Sequence, residues 1–257
     1  MSHLDTPKLI RYVRNQQTWD GITIFTNNEI NKVQQVTSRY KVAVLIEPPE
    51  IEPHAYQRLL ELQDHFDLVV TLTDTFPSPK HMHLMPGPPG TFIPSSLWGA
   101  HEKTRMVSMV CSPKQQTHGH VFRRSVAAHV QARGGVDLYG REYIPLPQKE
   151  GALLEYAFTI VVTNSQASGY ISDHVFDPLL TYTIPIFWGC VNIDKYMDTR
   201  GFLLFNTTDE LDAHLSSLSM ELYEQMLPYA KANYEKASQL ACTDDVLALM
   251  LYVLPLN

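Results

Sequence analysis

The chain has 257 residues, long enough for one large domain or for two modest ones that each bury a core of their own. Its 44% hydrophobic and 18% charged residues are those of an ordinary globular protein and exclude a natively disordered one. A formal net charge of −7, with scattered basic residues, excludes the broad cationic footprint of a nucleic-acid binder and leaves local spots that could hold a small anion.

No run approaches the roughly eighteen apolar residues that a membrane span needs, and "MSHLDTPKLIRYVRNQQ" is polar and mixed where a signal peptide would carry an apolar core. The expectation is a soluble, cytoplasmic protein. Cys111, Cys190 and Cys242 are odd in number and widely spaced, without a Cys-x-x-Cys pair, and read as buried thiols.

In chain order, short β-branched runs alternate with helical patterns. The runs are "GITIFT" (21–26), "KVAVLIE" (41–47), "DLVVTLT" (67–73), "RMVSMVCS" (105–112), "FTIVVTN" (158–164), "TIPIFWG" (183–189) and "GFLLFN" (201–206). Strands this apolar are buried on both faces, which predicts parallel sheets covered by helices, the α/β class.

Helical spacing of Tyr56, Leu59, Leu60 and Leu62 predicts a helix over 54–66, and Val121, Val126 and Val130 predict another over 121–133. "TTDELDAHLSSL" (207–218) opens with a capping Thr and first-turn acids, and 219–240 reads as one or two helices interrupted at Pro228. Regular patterning stops in the proline- and glycine-rich stretch 76–104. The domain boundary is placed there, giving lobes of 1–98 and 99–257.

Ligands of open parallel sheets bind beyond the carboxyl ends of the strands, so the loops there are the places to search. "EPPEIEP" carries Glu47, Glu50 and Glu52 among stiffening prolines. Such a cluster fits a solvated turn, but Glu47 abuts the apolar strand, where partial desolvation would raise its pKa toward that of a general base.

"CSPKQQTHGHVFRRS" leads into a helix whose first turns hold Arg123 and Arg124; they are either a solvated helix face or a fork for a phosphate at a helix N-terminus. His118 and His120 flank one glycine without a third metal ligand at suitable spacing, so no metal site is expected. In "TNSQASGYISDHVFDPLL", Asn164, Tyr170, Ser172, Asp173, His174 and Asp177 accumulate between two buried strands. They read either as a crowded helix cap or as an anion or nucleotide pocket. Neither a Gly-x-Gly-x-x-Gly fingerprint nor a Walker lysine is present, which argues against an ordinary dehydrogenase or NTPase.

At these residues the sequence resembles glycosyltransferase family 10, the α-1,3/1,4-fucosyltransferases. "VTNSQASGYISDHVFDPLLTYTIPIFWG" runs through the family's donor signature without a gap. "SMVCSPKQQTHGHVFRRSVAAHVQARGGVDLYG" is similar to its Ser-Asn…Arg…Val-Asp-x-Tyr-Gly segment, and "VLIEPPEIEPHAYQRLLELQDHFDLVVT" to its Thr-Gly-Glu-Asn segment.

The resemblance implies a GT-B-like architecture: two Rossmann-like lobes of parallel sheets flanked by helices, with a cleft between them. The first lobe (1–98) would face the acceptor and the second (99–257) would bind the sugar nucleotide. The implied reaction is inverting transfer of a sugar from a nucleotide-sugar donor to a glycan hydroxyl, without a cofactor or essential metal. By position, Glu47 falls on the catalytic base, with Asp74 as the next candidate. Arg123 falls on the arginine holding the donor diphosphate, with Tyr170 beside it; Asp173 stands where the family has a ribose-binding glutamate and His174 where it has a phosphate-binding lysine.

Thr163 replaces the glutamate of the family's Glu-Asn-[Ser/Thr], so a donor other than GDP-fucose, such as UDP-xylose, stays open, as does a sugar-nucleotide-binding protein without catalysis. The lack of a Golgi-type anchor fits a bacterial or viral type of enzyme. The expected partners are a nucleotide sugar and a glycan acceptor, with no nucleic acid and no membrane span.

Overall fold

The structure, a computed structural model, describes residues 10–12, 18–83 and 90–241. By backbone contacts the chain divides into two compact units, the first holding the described residues up to His83 and the second those from Gly90 onward.

The first unit is a five-stranded parallel sheet, β1 (Ile10–Tyr12), β2 (Thr18–Thr26), β3 (Thr37–Leu45), β4 (Leu68–Thr71) and β5 (His81–His83), whose spatial order follows the chain order. A 3₁₀ segment (Asn27–Gln35) joins β2 to β3, and α1 (Pro53–Leu62) lies between β3 and β4. Pro53 begins α1, where its missing N–H costs nothing and its fixed φ suits the first turn. Ile30 and Val33 from the 3₁₀ segment and Tyr56, Leu59 and Leu62 from α1 share one core with Phe25, Ala43, Leu45 and Val69.

The second unit contains β6 (Arg105–Val110), α2 (His118–Arg133), β7 (Asp137–Tyr139), β8 (Tyr156–Val162), α3 (Asp173–Leu180), β9 (Ile184–Trp188), β10 (Leu203–Leu204), α4 (Thr208–Ser217) and α5 (Met220–Leu240). Its sheet is also parallel, in the order β10-β9-β8-β6-β7. All seven residues of the central strand β8 are buried, the continuous apolar run that a sheet covered on both faces requires. Pro185 is accommodated in β9 because β10 pairs only from Ile186 onward, so the missing N–H breaks no ladder.

The parallel α/β class stands. Three short strands, β1, β5 and β7, join those expected from sequence. Strand β5 falls inside the stretch read as irregular: its two histidines hide the apolar signal, yet His81 Nε2 lies 2.9 Å from Thr71 Oγ1 and the strand extends the β4 edge.

Residues 90–98, expected with the first lobe, belong to the second. The backbone N–H of Phe92 donates to Asp177, Gly99 N–H donates to Leu180 O, and Trp98 packs on the core around α3. Pro228 does not interrupt α5, which runs unbroken through it. Pro228 and Glu224, whose carbonyl lost its partner, are both on the exposed face, so that carbonyl can be solvated. Cys111 and Cys190 are buried free thiols, while Cys242 lies outside the described residues.

Candidate functional site

In the second sheet the chain leaves β6 in one direction for β7 and returns on the other side for β8, so β6 and β8 flank a reversal of strand order. The crevice beyond such a reversal is where open α/β sheets bind ligands. The starts of α2 and α3 follow β6 and β8 directly.

Helix α2 begins from a closed cap. Thr117 Oγ1 accepts the N–H of His120 and donates to Asn164 O at 2.7 Å, tying the helix start to the turn after β8. A Cβ on Gly119 would overlap the backbone of Thr163 and Asn164, so only glycine lets the first turn approach this closely.

The same turn fixes Arg123. Its Nε donates to Val162 O and its Nη2 to Asn164 Oδ1, both at 2.7 Å, leaving Nη1 without a hydrogen bond among the described residues. Arg123 is only 4% exposed, and burial lowers its pKa, offset by the nearby Cys111, Tyr170 and Asp173; a guanidinium nevertheless stays charged in water-accessible pH ranges. A buried cation held by carbonyls and no carboxylate keeps its charge available for an anion.

Helix α3 begins differently. Ser172 is its N-cap but makes no side-chain cap bond, and its Oγ is buried without a hydrogen-bond partner. Asp173 follows, 2.7 Å from Lys149 Nζ. Burial opposes ionisation of Asp173, but His174, Lys149 and a hydrogen bond from Lys149 hold its pKa below the ordinary range.

His174 borders a narrow recess with Lys149 and Val110. Burial, with the cationic neighbours Lys149 and Arg123, brings its pKa down to about 3 against the pull of Asp173. His174 is neutral at pH 7 and does not supply the positive charge of the lysine that the resemblance placed there.

Lys149 is the functional candidate that sequence reasoning missed. It lies in a single 3₁₀ turn before β8, Lys149–Ala152, outside every motif. Its ammonium bridges Asp173 and Asp177 at 2.7 and 2.6 Å and lies over the ring of Phe92. The available signal was a pair of carboxylates one helical turn apart on a buried face, an arrangement that calls for a cation.

Asp177 is fully buried; one oxygen takes Thr91 Oγ1 and Phe92 N–H, the other Lys149. Expected as a donor contact, it instead ties residues 90–98 to α3, because neither oxygen is left open. Tyr170 is 1% exposed and lies near Arg123. Asn164 positions Arg123. Thr163 is sealed: its hydroxyl donates to Ser165 O at 2.8 Å and it has no exposure.

In the first unit, Glu47 lies two residues beyond β3 and Asp74 three beyond β4. Since Leu45 pairs with Thr71, the two carboxylates follow neighbouring strand ends on one edge of that sheet, both half-buried. Tyr56 donates to the backbone carbonyl of Glu47 at 2.9 Å, anchoring the segment on α1.

Two parallel α/β units of this construction define a GT-B-like protein. Residues 100–242 match the family model described as glycosyltransferase family 10 (fucosyltransferase), C-terminal part. That is more than half of the chain, and the chain belongs to glycosyltransferase family 10. An alpha-(1,3)-fucosyltransferase of Helicobacter pylori, FucT, is 29% identical over 89 residues, 31% of this chain. The match spans only 19% of that enzyme's length.

Among solved structures, an alpha1,3-fucosyltransferase with GDP superimposes with a TM-score of 0.58 at 15% identity, covering 94% of this chain and 79% of that one. The same kind of enzyme with GDP-fucose gives 0.54 at 14% identity, covering 97% and 95%. TarM gives 0.58 at 12% identity, covering 91% and 55%. At these identities the superpositions speak to the fold. No helix among the described residues is long and apolar enough to cross a membrane.

Proposed function

We propose that this chain is an inverting glycosyltransferase that binds a nucleotide-sugar diphosphate on the floor formed by Arg123, Ser172, Asp173 and Lys149 and transfers the sugar to a glycan hydroxyl. The observation that carries this reading is the buried Arg123, held only by Val162 O and Asn164 Oδ1, next to a helix start whose cap hydroxyl, Ser172 Oγ, is orphaned. An unmet buried hydroxyl and an unopposed buried cation are both satisfied by an anion at the N-termini of α2 and α3.

In such a transfer a base takes the acceptor hydroxyl's proton while its oxygen attacks the anomeric carbon opposite the departing nucleotide. Glu47 is assigned this task, with Asp74 as the alternative. The leaving diphosphate gains charge, which Arg123 and the two helix termini stabilise; fixed donors of this kind are worth roughly 2.7–4 kcal/mol each when aimed at developing charge. The positive charge needed is thus supplied by the chain, so transfer should persist in a chelator.

A second reading is a donor-binding protein without transfer, favoured by the neutral His174 and the sealed Thr163. Incubating wild-type protein with a panel of nucleotide sugars and no acceptor separates the two. Slow donor hydrolysis supports the enzyme; thermal stabilisation without turnover supports the binding protein. Absence of stabilisation by any nucleotide sugar would overturn both.

A further inference from the structure

A second group of polar side chains gathers at the carboxyl edge of the first sheet, where the loops carrying Glu47 and Asp74 leave β3 and β4. We propose that Tyr56 and His81 are positioning residues for the base, the two ends of a hydroxyl network through Thr71 and Thr73 that holds both carboxylate-bearing loops in one arrangement. The inference rests on the proposed transfer by a carboxylate base and adds the groups that aim it.

Glu47 is pinned on both sides. The N–H of Ile46 donates to Asn27 Oδ1 at 3.4 Å, and the carbonyl of Glu47 accepts the Tyr56 hydroxyl at 2.9 Å. Asn27 reaches Ile46 from a left-handed backbone, φ +45°, which asparagine tolerates. Pro48 O accepts the N–H groups of Ile51 and Glu52, closing the turn into α1. Burial pushes the Tyr56 phenol up to about 12, with the charge of Glu47 adding to it against hydrogen bonds from Thr73 and Thr71. The phenol therefore keeps its proton for the Glu47 carbonyl.

Asp74 is pinned likewise. Thr71 Oγ1 donates to Thr73 O at 2.9 Å and Thr73 Oγ1 to Thr75 O at 3.1 Å, two successive turns that fix the backbone on either side of Asp74. His83 Nε2 donates to Leu72 O at 3.0 Å, because a carbonyl can only accept.

His81 closes the network. Its Nε2 lies 2.9 Å from Thr71 Oγ1, whose single proton already goes to Thr73 O, so the ring N–H is the donor. Burial lowers the His81 pKa, with His83 acting the same way and Asp74 opposing. The neutral ring thus carries its proton on Nε2. Phe76 packs against both ends, its ring 6.1 Å from that of Tyr56 and 5.8 Å from that of His81.

Tyr56, Thr71 and Thr73 are all buried. Apolar side chains of the same shape could fill this space at little or no cost in stability, so what the hydroxyls add is direction. Direction is what a base requires, since a misplacement of about 1 Å can cost roughly 10²-fold in rate.

Three substitutions test the network. Tyr56→Phe removes one hydroxyl and keeps the ring against Phe76; His81→Leu removes the ring donor; His81→Gln restores an N–H at about the reach of Nε2. By hydrogen exchange, Tyr56→Phe should loosen residues 46–52 about tenfold or more and leave 90–241 unchanged. In steady-state transfer, kcat should fall roughly 10- to 100-fold in Tyr56→Phe and His81→Leu with the donor KM unchanged, and His81→Gln should recover most of the loss. Tyr56→Phe added to Glu47→Gln should cost little beyond Glu47→Gln alone, because nothing is left to aim.

Wild-type kcat in the folded variants overturns the inference and leaves the proposed function standing, and either variant decides the matter should the other fail to fold. Fully multiplicative losses in the double variant overturn it as well, since Tyr56 would then act independently of the base. If the loops loosen as expected but the wild-type protein neither transfers sugar nor hydrolyses donor, the base assignment fails and the inference falls with it.

Discussion

The two sheets are both parallel, yet they are wound differently and carry opposite chemistry at their strand ends. The first runs β1 to β5 in chain order without a reversal, whereas the second reverses at β6. Only a reversal sends neighbouring connections to opposite sides and leaves a crevice between strand ends. Correspondingly, the first sheet offers carboxylates, Glu47 and Asp74, on loops after β3 and β4, while the second gathers Arg123, Lys149 and two helix starts around its reversal. The contrast matches the proposed division, with the charge-binding task given to the reversed sheet and proton removal to the sequential one.

The largest break in this division of labour is expected from Glu47→Gln. General-base assistance contributes about 10²- to 10⁴-fold, so the transfer rate should fall by that order while nucleotide affinity, measured by calorimetry, stays put. An unchanged rate transfers the role to Asp74, whose Asn variant should then show the loss.

Next is Arg123→Ala in the reversed sheet. Removing a charge-assisted contact to a diphosphate costs about 1.5–3 kcal/mol, or roughly 10- to 100-fold in affinity. Inorganic pyrophosphate should lose affinity alongside the nucleoside diphosphates. If only the nucleosides lose affinity, the anion does not lie on Arg123.

Lys149→Met tests the ion cluster as structure. It leaves the fully buried Asp177 facing Thr91 and Phe92 without its cation. Stability by urea titration should fall by about 2–3 kcal/mol, allowing for the partial exposure of Lys149 and Asp173. The Asp177→Asn background should recover part of that loss, because the two substitutions act on one network.

Much of this fold was legible in the sequence because long apolar strands cannot be disguised: Tyr156–Val162 is buried throughout and reads so. Elements built by context were not legible. His81–His83 is a strand only because β4 offers it an edge, and α5 absorbs Pro228 because its exposed side lets the lost carbonyl partner be replaced by water. At the site, spacing singled out Arg123 and the α3 start, since the residues lie within one loop and one helix turn. Lys149 comes from a separate 3₁₀ turn and meets these residues only through packing, which no local pattern encodes. Asp177 misled for the same reason: its one-turn spacing from Asp173 was visible, but not that Thr91, Phe92 and Lys149 occupy it.

A smaller effect concerns pH. His174 has a folded pKa of about 3 against the ordinary 6.5, so between those values the unfolded chain binds a proton that the folded chain refuses. Stability therefore loses nothing to this group above pH 6.5 and declines through it as pH falls toward 3. His174→Gln should flatten the slope of stability against pH within that window, measured by urea midpoints at pH 7, 5.5 and 4.5. An unchanged slope would mean that His174 is solvated enough to titrate normally.

The smallest effect is the most discriminating between the two helix starts. Thr117 accepts a backbone N–H of α2, so Thr117→Ala should cost about 1 kcal/mol, the usual loss of an N-cap. Ser172 accepts none in α3, and Ser172→Ala should change stability by no more than about 0.5 kcal/mol. If the orphan hydroxyl is kept for a ligand, Ser172→Ala should still weaken nucleoside diphosphate binding by the worth of one hydrogen bond, about 0.5–1.5 kcal/mol. A stability loss matching that of Thr117→Ala, with nucleotide affinity untouched, would make both helix starts ordinary caps and leave Arg123 alone to mark the anion.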